Sequence, residues 1–117
     1  MSTAVAVVIL TDIAHDMAAV YRGLDTAREF ADAGDDVTIV FDGSGTESLA
    51  ALTAEEHALH PLLESLRDRV RGACGYCAKA HKVADPIVAA GFPLLTDNKG
   101  HASIRSLVVE GRQVLTF

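Results

Sequence analysis

Val5-Ala6-Val7-Val8-Ile9-Leu10 opens the chain with six apolar residues in succession, and Thr11-Asp12 ends the run. A strand with one wet face alternates apolar and polar residues, whereas a run without alternation is buried on both faces. Such a strand belongs in the middle of a parallel sheet with helices over both sides. The next stretch supplies a helix. From about Asp16 to Ala33, the residues Met17, Val20, Tyr21, Leu24, Ala27, Phe30 and Ala31 recur at spacings of three and four, and Gly34 stops the pattern. Gly23 interrupts it at a cost of about 1 kcal/mol relative to Ala and marks close packing. A second apolar run, Val37-Thr38-Ile39-Val40-Phe41, completes a βαβ unit with a right-handed crossover.

The alternation continues to the end. Asp42-Gly43-Ser44-Gly45 forms a tight turn after the second strand, Glu47–Leu52 reads as a short helix, and Thr53-Ala54-Glu55-Glu56 fits a capping box. Pro61 suits the first turn of a helix from His60 to about Arg69. Val70–Ala73 is the expected third strand, Cys77 to about His81 the next helix, and Asp85-Pro86 to Ala90-Gly91 a further short one. Pro93–Thr96 is the expected fourth strand and Asp97–His101 a polar turn. Ser103–Glu110 reads as a helix stopped by Gly111, and Gln113–Phe117 as the fifth strand. This order predicts one α/β domain over residues 1–117. It is a three-layer sandwich around a mainly parallel five-stranded sheet, flavodoxin-like in character. Sites in such sheets gather at the carboxyl ends of strands. The loops there are Thr11–Asp16, Asp42–Gly45, Cys74–Cys77 and Thr96–His101.

Charge narrows the function. Ten Lys and Arg stand against sixteen Asp and Glu, a net charge of −6. Arg67, Arg69 and Arg71 are interleaved with Asp68 and Val70, so no basic stripe exists for a phosphate backbone or an anionic membrane. Val5–Leu10 is too short for a signal-peptide core or a membrane span, which predicts a cytoplasmic protein. The turn at Asp42–Gly45 lacks the Lys-Ser/Thr of a P-loop and the spacing of a dinucleotide fingerprint. No G-x-S-x-G elbow is present, which argues against a serine hydrolase. The chain calls for no cofactor.

Chemistry concentrates at Cys74-Gly75-Tyr76-Cys77, which holds the chain's only two cysteines between a strand and a helix. A thiol at a helix start faces unpaired N–H groups and the positive end of the helix dipole, which favours the thiolate. In a reducing compartment such a pair is catalytic or metal-binding rather than a structural disulfide. Cys74 and Cys77 are therefore the candidate catalytic residues. His81 and Lys82 are candidate neutralising cations, and Asp12 and Asp42, beside the first two strand ends, are supporting carboxylates. Asp12, His15 and Asp16 also read as a helix cap with a solvated first turn. Two rival readings stand beside this one. The cysteines are two small buried hydrophobes in a non-catalytic oligomeric binding or regulatory module. Or they bind zinc with imidazoles drawn from His57, His60, His81 and His101. Pro61 beside His60 breaks the helix face that would aim His57 and His60 inward, so no resident metal is expected.

Several segments, in order, resemble the DsrE/DsrF-like sulfur-relay family, which includes TusD-related proteins. They are Ala4–Leu10, Tyr21-Arg22-Gly23-Leu24, Val37–Phe41 with Asp42-Gly43-Ser44-Gly45, and Ala73-Cys74-Gly75-Tyr76-Cys77. Gly100-His101-Ala102-Ser103 and Gly111–Phe117 complete the series. The resemblance covers nearly the whole chain. It implies a five-stranded α/β fold, a homo-oligomer (trimer or hexamer), and protein partners that give and take sulfur. It also implies a persulfide-bearing cysteine just after the third strand, which Cys74 matches in position. His81-Lys82 stand where the family has an Arg-Gly pair.

Overall fold

β1 (Ala4–Ile9) pairs in parallel with β2 (Asp36–Phe41) on one side and with β5 (Gln113–Thr116) on the other. The structure, a computed structural model, describes residues 2–117. β3 (Val70–Cys74) and β4 (Leu94–Leu95) extend the sheet beyond β2, giving the order β4-β3-β2-β1-β5 with every pair parallel. β1 is interior, as its unbroken apolar run requires, but it lies one strand in from the β5 edge. The middle position belongs to β2.

The order explains the layers. Each right-handed step from β1 to β4 moves the same way, so the connecting helices share one face of the sheet. They are α1 (Met17–Asp32), α2 (Gly45–Leu52), α3 (His60–Ser65), α4 (Gly75–Ala80) and α5 (Ala84–Ala89). Val20, Leu24, Leu49, Leu52, Leu63 and Ile87 pack there against Val5, Val7, Ile9, Ile39 and Phe41. The return from β4 to β5 runs the other way and carries α6 (Ile104–Val109) to the opposite face. That second layer is thin: Leu107 and Ala102 cover Ala6, Val8, Val40 and Cys74.

Local signals account for most boundaries. Asp16 caps α1, its Oδ1 accepting the Ala19 N–H at 3.0 Å, and Gly34 leaves the helix at φ +84°. Gly23 does mark close packing, since a Cβ there would lie 3.1 Å from Phe117 Cβ. Between Thr53 and Arg69 two expectations fail. Thr53 does not open a helix; its hydroxyl donates to the Ala50 carbonyl at 2.6 Å and closes α2, leaving turns up to α3. The helix expected to reach Arg69 ends at Ser65 and passes into a 3₁₀ turn at Arg67–Arg69. Arg67 explains the break: its guanidinium binds Glu64 at 2.9 Å and the Ala90 carbonyl at 2.9 Å.

Candidate functional site

One irregularity in β3 decides where Cys74 points. Val70 stands opposite Ile39 and Gly72 opposite Val40, so Arg71 is one residue extra. Gly72 adopts φ +153°, and any Cβ there would collide with the Pro93 carbonyl oxygen. Strand side chains alternate, so a one-residue slip turns over everything that follows. After the bulge Ala73 faces the five-helix side, and Cys74 faces the thin α6 side with Val40 and Val8. Asp42, one residue past Phe41 at the end of β2, reaches the same place.

Cys74 ends β3 and caps α4, which starts at Gly75 and not at Cys77 as its residues suggest. Its Sγ accepts the Cys77 N–H at 3.5 Å and lies 3.6 Å from His101 Nδ1. The Cys77 thiol donates to Asp42 Oδ1 at 3.5 Å, and the same oxygen accepts the Gly43 N–H at 2.8 Å. The two sulfurs and a ring nitrogen of His101 all lie within 4.8 Å of one another. Both cysteines are free thiols.

His101 arrives on the loop after β4. Asn98 and His101 exchange two backbone hydrogen bonds of 2.8 Å, which fix the loop's bend. The Tyr76 N–H donates to the Gly100 carbonyl at 2.9 Å, and the Tyr76 ring lies 4.4 Å, centroid to centroid, from the imidazole. Gly75 makes this closeness possible: a Cβ there would lie 2.7 Å from Thr96 Cγ2 and 3.2 Å from the Leu95 carbonyl oxygen.

The two thiols differ. Cys74 is wholly buried, 0% exposed, and not on an open loop; Cys77 is partly exposed. Burial, the hydrogen bond with Cys74 and the charges of Cys74 and Asp42 push the Cys77 thiol up to about 12, against a lowering by the Gly43 backbone. At neutral pH Cys77 therefore keeps its proton.

The other sequence candidates go elsewhere. His81 Nδ1 faces Glu47 Oε2 on α2 at 3.6 Å. Lys82 is exposed at φ +61°, because it turns the chain out of α4; it lines a shallow cleft of about 260 Å³ with Lys79, Ala84 and Asp85. Asp12 stays in the β1–α1 loop, where its Oδ1 accepts the Ala14 N–H at 2.9 Å. Asp16 caps α1, and Asp12 folds the turn before it. The imidazoles first weighed as zinc ligands are otherwise engaged: His57 Nδ1 accepts the Leu59 N–H at 3.0 Å, and His60 Nδ1 bonds the Leu52 carbonyl at 2.8 Å. His101, the last imidazole weighed, is the one that reaches the thiols. Among the described residues no helix is long and apolar enough to cross a membrane.

No curated protein and no solved structure matches the chain. The DsrE/DsrF-like family matches residues 4–117, which takes in every strand and helix and all the loops that form the site. By that match the chain belongs to the DsrE/DsrF-like family.

Proposed function

We propose that the protein is a sulfur-relay or thiol-redox protein in which Cys74 carries the sulfur as a persulfide. The observation that carries this reading is the meeting of Cys74, Cys77, His101 and Asp42 at neighbouring strand ends. Cys74 ends β3, and its Sγ receives the Cys77 N–H at the start of α4, which makes it the nucleophile of the pair. Its thiolate attacks the outer sulfur of a donor persulfide; a Cys74–S–S bond forms, the donor's S–S bond breaks, and the donor leaves as a thiolate. The Cys77 N–H stabilises the charge on Cys74 before attack, joined by His101 in the tautomer that carries its proton on Nδ1. Release has two routes. An acceptor thiolate takes the outer sulfur and returns Cys74 as a thiolate. Or Cys77, giving its proton to Asp42, attacks Cys74 Sγ; the disulfide forms and sulfide leaves. The second route leaves the pair oxidised, and an external dithiol restores it. Because Cys74 is buried, loading requires the 96–101 loop to move aside.

A second reading is favoured by one observation. Cys74 packs at 0% exposure against Ala6, Val8 and Val40, as an inert core thiol does. Alkylation separates the two. The relay reading expects native, folded protein to label at Cys74 as the 96–101 loop opens. The packed-cysteine reading expects labelling at Cys74 only after unfolding. Sulfur-donating and sulfur-accepting proteins as partners, a cytoplasmic setting and self-association belong to the same proposal.

A further inference from the structure

We propose that Cys74 Sγ, Cys77 Sγ and His101 Nδ1 form a three-ligand site for a thiophilic divalent cation of the zinc class. Geometry carries this. A tetrahedral zinc with its usual bond lengths to sulfur and imidazole nitrogen sets its ligands about 3.6 Å apart for S and N, and about 3.8 Å apart for two sulfurs. Cys74 Sγ and His101 Nδ1 already stand at 3.6 Å, and the whole triad lies within 4.8 Å. Cys77 is partly exposed, and its Sγ lies within that same distance of the other two ligand atoms.

The surroundings are those a metal site requires. Cys74 Sγ accepts a backbone N–H from Cys77, the bond by which outer groups orient a thiolate ligand. The imidazole is held by the Asn98–His101 bend and the Tyr76 ring, so little order is lost on binding. Asp42 Oδ1 accepts from the Cys77 thiol at 3.5 Å and so holds that side chain beside the other two ligands. Two thiolates neutralise the dication, and the fourth position stays open to water or to an incoming thiolate. The site does not depend on the relay reading. Where both hold, metal and carried sulfur compete for the same atoms.

The test adds Zn(II), then Co(II), to reduced, metal-free protein. One equivalent should bind, Co(II) should show a thiolate charge-transfer band with tetrahedral d–d intensity, and Cys77, the partly exposed thiol, should become protected from alkylation. His101→Ala should weaken binding at least about 100-fold, since changes in outer-shell groups alone cost about 10–100-fold. His57→Ala with His60→Ala should bind as the unaltered chain does. Thiol protection needs no variant, so a His101→Ala chain that fails to fold leaves the test intact. The proposal is overturned if no thiolate band appears, if metal binds without protecting Cys77, or if folded His101→Ala binds undiminished. Failure of sulfur loading, by contrast, would touch only the relay reading.

Discussion

At the scale of the residue, the two thiols are made unequal by position alone. Cys74 is the last residue of β3 and receives the Cys77 N–H, while Cys77 sits a turn into α4 with its thiol on Asp42. The protonated form of Cys77 is favoured in the fold, with its value raised from 9.0 to about 12. The contribution to stability is therefore fully present below 9.0 and is lost as pH rises through that window. Denaturation midpoints measured from neutral pH to beyond 9.0 should fall more steeply for the native chain than for Cys77→Ser. Equal slopes would mean that Cys77 is not held protonated. The pair itself was legible from the Cys-x-x-Cys spacing, and so was Asp42 at the end of the second strand. The face of the sheet that Cys74 takes was not, because it follows from one extra residue in β3. Gly72 was the available signal, since a lone glycine inside a strand marks a bulge.

At the scale of the element, the α4 start and the loop after β4 act as one unit, and Gly75 sets their spacing. Gly75→Ala should push the 96–101 loop away by tenths of an ångström and part His101 from Cys74. Overpacking of this kind costs about 1–3 kcal/mol; denaturant unfolding should show that loss, and NMR should show a shifted His101 ring. An unchanged midpoint would contradict the packing described. At the other end of the sheet, Glu110 joins Arg71 at 2.7 Å and Arg112 at 2.8 Å, and Arg112 reaches Asp36 at 3.2 Å. Those hydrogen bonds lower the Glu110 carboxyl from 4.5 to about 2. Its stabilisation is present above 4.5 and lost as pH falls toward 2. Glu110 is partly exposed, so the effect is modest and screened by salt. Glu110→Gln should flatten the acid limb of the stability curve, and more so at low salt. The long periodic segments gave α1 and the first two strands directly. The short pieces between Thr53 and Arg69 misled, because Thr53 back-bonds to α2 and Arg67 reaches Glu64 and Ala90, contacts that local pattern does not carry.

At the scale of the molecule, the two faces of the sheet are unequally covered. Five helices pack one side and α6 alone the other, with Ile104, Val108 and Val109 turned outward, Val109 at 65% exposure. Tyr76 stands exposed beside the site. Apolar residues grouped in this way mark contact surfaces, and we expect copies of the chain to associate through α6. Light scattering should give a mass above 12.3 kDa, reduced to that of the monomer by Val108→Asp with Val109→Asp; a monomer at all concentrations would contradict this. The α/β class and the parallel sheet were legible from Val5–Leu10 and the βα alternation, whereas the thinness of the second layer follows from strand order, which no local pattern encodes. Intact-mass analysis of reduced protein after exposure to a low-molecular-weight persulfide tests whether Cys74 carries sulfur. The expected result is a gain of one sulfur atom in Cys77→Ser, that gain or a Cys74–Cys77 disulfide in the native chain, and neither in Cys74→Ser. No gain in Cys77→Ser, or a gain that survives in Cys74→Ser, would show that Cys74 is not the carrier.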